Sequence, residues 1–232
     1  MRSRLILFLA SAAALGLLIV VPYRSSLVRL TLLGLWGLTG AFLLILLWKQ
    51  KVWRTFVIVI MALFAAFLLF PGRAATDTGQ LRQRFVGQLK SYDGVSYVYG
   101  GENHRGIDCS GLVRAAMFRS LVEESIFATN PALLRAAFNL WWRDTNAIQL
   151  GKSANGLTWP KGDGSPIPMR DAQNLRPGDL AVTTSGSHVL AYLGDNRWIE
   201  ADPDIMRVHI VDLDKSQIAG QEVLLVAWRW LR

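Results

Sequence analysis

Cysteine is nearly absent from the sequence. Cys109 is the only one in 232 residues, which excludes an intramolecular disulfide framework and a cysteine-built zinc site. Acidic residues are missing altogether from the first 73 positions. Eight of the 25 basic residues lie there, which leaves 17 to balance the 17 acidic residues of the remainder. The formal charge of +8 therefore belongs to the first third alone. A basic patch for nucleic acid has no support in the near-neutral part, so no nucleic-acid partner is expected. Internal repeats and long low-complexity runs are also lacking.

What fills the first third is apolar. Three runs, 5–23, 30–48 and 55–71, contain no Asp, Glu, Lys or Arg. As helices each would span roughly 26–28 Å, close to the hydrocarbon thickness of a bilayer. Tyr23, Trp48 and Trp53 stand where interfacial aromatics are expected. A cleaved signal peptide is the rival for the first run, but two more apolar runs follow at once, which favours an anchor. Lys and Arg are denser beside the N-terminus and the 49–54 linker than beside 24–29 and Arg73. That bias places the N-terminus in the cytoplasm and the remainder outside.

The expected organisation is a three-helix membrane anchor over 1–73, a short tether over 74–79 and one domain over 80–232. In that domain helical periodicity comes first, at 80–90, from Cys109 to about Val122 and at 133–143. Residues 151–168 are rich in Gly, Pro, Ser and Asn and read as loop. From Arg176 onward short strands follow, at 180–184, 188–193, 198–201, 207–213 and 223–230. Helices followed by an antiparallel sheet make an α+β fold.

Cys109 follows a glycine-rich stretch and begins an apolar helical run. A thiol in the first turn of a helix faces unpaired N–H groups and the positive dipole end, which favour the thiolate. Its neighbours Asp108 and Ser110 argue against an apolar pocket. A cysteine nucleophile needs a base. His104 lies in the glycine-rich loop, and His209 alternates with Val208 and Ile210 so as to point away from the core. His188, at the rim of a strand, is the better placed of the three.

Four ordered segments carry a resemblance: Tyr97-Val-Tyr-Gly-Gly, Gly106-Ile-Asp-Cys-Ser-Gly-Leu-Val, Arg176-Pro-Gly-Asp-Leu and His188-Val-Leu-Ala-Tyr-Leu-Gly. Together they resemble the NlpC-type cysteine peptidases of bacterial cell walls, whose fold is papain-like. The resemblance implies Cys109 as nucleophile, His188 as base, and Tyr97 lining the active site near the oxyanion, with Ser110 and Asp108 on the substrate side. It implies peptidoglycan as substrate, no metal and no other cofactor, with the bond between D-γ-glutamate and the diamino acid as the expected target. The family's third group, commonly a histidine, falls on Glu200; Asp202 or a main-chain carbonyl is the alternative. The stretch between Cys109 and His188 is longer than usual, the excess lying over 123–169. There Trp141 and Trp142 read as core, and the loop at Trp159 as a lid or a membrane-facing wall. The expected location is a bacterial inner membrane, multi-pass, with the catalytic domain on the cell-wall side. A thiol acyltransferase or lipid-modifying enzyme of related fold, or a non-catalytic wall-binding module, are the rival functions.

Overall fold

The computed structural model describes residues 2–72, 77–213 and 219–232. The last residue of the expected anchor, 73, and the first part of the expected tether, 74–76, lie outside the described residues. The three apolar runs form α1 (Arg2–Val20), α2 (Ser26–Leu47) and α3 (Lys51–Leu69). Among the described residues these three are long and apolar enough to cross a membrane, and almost none of their surface is buried inside the protein. Helix α2 starts four residues earlier than the apolar run, because the Ser25 hydroxyl caps it by accepting from Val28 N. That places Arg29 inside the helix, where it is fully buried.

The domain opens with α4 (Thr78–Lys90), capped by Asp77, whose carboxylate accepts from the N–H groups of Gly79 and Gln80. A small hairpin follows, β1 (Glu102–Asn103) with β2 (Gly106–Ile107). It leads into α5 (Cys109–Phe127), five residues longer than the sequence reading, then α6 (Pro131–Trp142) and the short α7 (Ala147–Gly151). Proline at the first position and the Asn130 side chain as cap start α6.

Two short strands, β3 (Thr158–Pro160) and β4 (Ile167–Pro168), occupy the stretch read as loop. Five longer ones complete the sheet: β5 (Leu180–Thr183), β6 (Val189–Gly194), β7 (Arg197–Asp202), β8 (Arg207–Asp212) and β9 (Glu222–Trp228). The order is β3-β9-β5-β6-β7-β8, all antiparallel, with β4 also on β9. The fold is α+β as expected.

The central strands are covered on both faces. Val189, Ala191, Ile199 and Ala201 meet Leu112, Val113 and Met117 of α5 in one cluster. Leu190, Trp198 and Val211 face a second, smaller cluster with Met169 and Val223. Fully burying each large apolar side chain contributes about 1.5–3 kcal/mol, so α5 is held firmly over β6 and β7. This fixes its first residue, Cys109, against the end of the sheet.

Candidate active site

Asp108 builds the start of α5. Its Oδ1 accepts from Gly111 N at 2.6 Å and from the Ser110 hydroxyl at 3.0 Å. Its Oδ2 accepts from Gly100 N at 2.8 Å, which ties the glycine-rich loop to the helix. Gly111 is needed at this junction, because a Cβ there would collide with the carbonyl oxygen of Gly101. Asp108 and Ser110 thus shape the site as cap and cap partner, and both line the cleft onto which Cys109 opens.

Cys109 is 9% exposed, and its Sγ lies 4.0 Å from the Ser187 carbonyl oxygen. The next residue, His188, is buried, with its ring close enough to the Cys109 side chain to interact with it. Its Nε2 lies 2.8 Å from Glu200 Oε2, and Glu200 is fully buried on β7. Burial by itself would lower the His188 pKa. The hydrogen bonds with Cys109 and Glu200, and the negative charges they carry, outweigh it and raise the value to about 9. The imidazolium is therefore the favoured form at neutral pH, which is the partner a thiolate requires. Glu200, the residue expected at the third position, is the carboxylate within hydrogen-bond distance of the His188 ring.

Asp202 is differently engaged: its Oδ1 accepts from Asp204 N at 2.7 Å, in the turn after β7. His209 was expected to point away from the core; it does leave the Val208 side, but it turns onto the face that carries buried Glu200, Trp198 and Val211. The register of β7 and β8 sets it opposite Glu200, on the same face of the sheet. Its Nε2 is 3.2 Å from Glu200 Oε1 and 3.5 Å from Asp202 Oδ2, within ion-pair distance though not aligned for a hydrogen bond with Glu200. Glu200, Asp202 and His209 bring ligand atoms within 4.8 Å of one another, a set able to hold a metal ion. A cation there would compete with His188 for the same carboxylate.

Tyr97 lines the cleft beside Cys109. Burial, followed by the charges of Cys109 and Asp108, raises its pKa to about 12, so its hydroxyl stays a hydrogen-bond donor. His104 lies elsewhere, stacked on Tyr92 with ring centroids 4.1 Å apart. The cleft has a volume of about 480 Å³. Its remaining walls include Tyr23 and Ser25 from the α1–α2 loop and Asp144 and Asn146 from the segment after α6. Sequence reasoning missed these, since nothing local marks a contact across so many residues.

Among the tryptophans of the long insertion, Trp142 corrects the sequence reading. Trp142 is 45% exposed rather than core, on an α6 face that also exposes Phe138. Trp159 is not among the cleft-lining residues; it sits on edge strand β3 with the Arg232 guanidinium 5.2 Å from its ring centroid.

The family model described as NlpC/P60 matches residues 94–227. A curated relative, the murein DD-endopeptidase MepS/murein LD-carboxypeptidase of Escherichia coli (strain K12), is 27% identical over 124 residues, 52% of this chain and 50% of that protein. The chain thus spans about half the length of the curated relatives it matches. Among solved structures, the peptidoglycan hydrolase RipB from Mycobacterium tuberculosis has a TM-score of 0.40 at 20% identity, covering 67% of each chain. RipD from the same organism, described as a non-catalytic NlpC/p60 domain protein adapted to peptidoglycan binding, has a TM-score of 0.39 at 18% identity, covering 63% of this chain and 96% of that one. The family match covers more than half of the residues, from the turn before the Tyr97 segment to the last strand: the chain belongs to the NlpC/P60 family.

Proposed function

We propose that the protein is a membrane-held cysteine peptidase that hydrolyses peptide or isopeptide bonds in peptidoglycan stem peptides. The observation that carries this reading is the alignment Cys109–His188–Glu200, a buried thiol–imidazole–carboxylate chain opening on one cleft. Cys109 as thiolate attacks the scissile carbonyl carbon, and the oxyanion is held by main-chain N–H groups at the start of α5 and the Tyr97 hydroxyl. The His188 imidazolium gives its proton to the leaving amine as the C–N bond breaks. Neutral His188 then takes a proton from water, whose oxygen attacks the thioester. Collapse of that adduct releases the carboxylate and restores the thiolate–imidazolium pair. Glu200 holds the ring in orientation and stabilises the imidazolium. The bond between D-γ-glutamate and the diamino acid is the proposed target.

The first 73 residues serve as a three-span anchor, with the N-terminus in the cytoplasm and the domain, from the start of α4 onward, on the wall side of a bacterial inner membrane. In a three-span chain the α1–α2 loop and the domain share one side of the bilayer. The backbone pairing of Tyr23 with Gly101 supports this arrangement. The test is release of new free amines from peptidoglycan by the full chain. The expected result is release that disappears in Cys109→Ala; sedimentation with peptidoglycan without any release favours a binding module instead.

A further inference from the structure

The α1–α2 loop is built into the domain. Arg24 N donates to Gly100 O at 3.1 Å, and Glu102 N donates to Pro22 O at 3.0 Å, flanking the Tyr23–Gly101 bridge. The Tyr23 ring lies over Gly100, where an added Cβ would come within 2.6 Å of Tyr23 Cε2. Gly100 also has a φ of +73°, a second reason for glycine there. Through its N–H, Gly100 is bound to Asp108, the cap of the nucleophile's helix. Tyr23, Tyr97, Gly100 and Cys109 thus border one space.

A buried ionic cluster fixes the loop in place. Arg29, fully buried on α2, pairs with Glu102 at 2.9 Å and with Asp144 at 3.4 Å. Arg114, on the same helix as Cys109, pairs with the same two carboxylates. Another part of the cleft lining, at Asp144 and Asn146, follows α6, whose Arg135 donates to the carbonyl oxygens of Leu68 and Phe70 at the end of α3. Both walls are therefore attached to the ends of membrane spans. Tyr23 lies three residues from the end of α1 and three from the start of α2, and three residues reach at most about 10 Å.

We propose that the α1–α2 hairpin is part of the active site: Tyr23 is a wall that touches the bound peptide, and the cleft takes stem peptides lying at the bilayer surface. A cleft wall so close to two spans cannot travel to peptide far from the membrane. The proposal rests on the peptidase reading for its substrate, but the wall itself has a test that needs no substrate.

The experiment uses the full chain in zwitterionic lipid nanodiscs, with Tyr23→Ala, Tyr23→Phe and Tyr23→Trp. Cys109, the sole thiol, is alkylated with iodoacetamide and with a bulky fluorescein maleimide. Tyr23→Ala is expected to speed the bulky reagent about tenfold and the small one far less, since an opened wall matters only to a large probe. It should also raise the KM for soluble muropeptides about tenfold, the loss of one aromatic contact, while kcat stays within about threefold. Tyr23→Phe, which keeps the ring, is labelled by the bulky reagent as the parent is, and Tyr23→Trp, which narrows the cleft, slows that reagent even if the alanine variant fails to fold. Labelling rates and KM indifferent to residue 23 overturn the proposal. A size-dependent labelling response without muropeptide cleavage by the parent leaves the wall standing and removes the peptidase reading.

Discussion

At the residue scale the decisive group is His188, held between a thiol and a carboxylate. Its pKa lies above the usual histidine value, so the paired form contributes stability that is fully present below about pH 6.5 and is lost as pH rises through about 9. The activity of the pair follows the same window on its alkaline side. An NMR titration of the His188 ring should show a midpoint near pH 9 in the parent and a lower one in Cys109→Ala, where the thiolate is gone. A parent midpoint at 6.5 contradicts the pairing.

Glu200→Gln keeps a hydrogen-bond acceptor but removes the charge, and should lower kcat roughly 100-fold. Asp202→Asn, whose carboxylate serves a turn, should cost little. The reverse ranking in steady-state assays would reassign the third group. His209→Gln, which changes the far side of Glu200, should fall between the two. Glu200 could be singled out in the sequence because the resemblance puts the third group on the strand after that of His188, one turn further on. His209's approach was not, because it depends on the β7–β8 register, and alternation tells which face a side chain takes but not what waits there.

Among the elements, what sequence showed best was whatever has a long period of its own. The three spans, α5 and the strands β5 to β9 all stood out, with ends displaced by a few residues through capping. Strands β3 and β4 were invisible: each has only two or three residues, within a Gly- and Pro-rich stretch, and their partner β9 is some sixty residues away. Helix α6 was visible but misjudged. Its tryptophans are apolar enough for a core, yet the face carrying Phe138 and Trp142 remains uncovered by the domain.

The ion cluster that docks α2 is a property of elements as well. Arg29 has no exposure, so Arg29→Met leaves Glu102 and Asp144 with one guanidinium in place of two. The loss falls on the pair with the largely buried Glu102, since Asp144 is half exposed and Arg114 still pairs both carboxylates. Hydrogen exchange on the full chain should then quicken at 22–25 and 98–107 while the sheet keeps its protection. Unchanged exchange at both segments would show that the hairpin is not held by this cluster.

For the whole molecule, the charge, the proposed spans and the cleft beside Cys109 form one arrangement. All acidic residues lie in the part beyond the spans, and the excess of Lys and Arg favours a cytoplasmic N-terminus. A membrane-impermeant thiol reagent applied to intact spheroplasts should therefore reach Cys109, the only thiol. Labelling confined to lysed cells would place the domain in the cytoplasm. The account stands most directly on the products formed from peptidoglycan by the full chain in lipid, resolved by mass spectrometry beside Cys109→Ala. The expected result is a pair of fragments whose summed mass exceeds the substrate's by one water, one ending in a new amine and the other in a new carboxylate, with neither formed by the alanine variant. Fragments joined to a different acceptor, or the same products from Cys109→Ala, would contradict hydrolysis through Cys109.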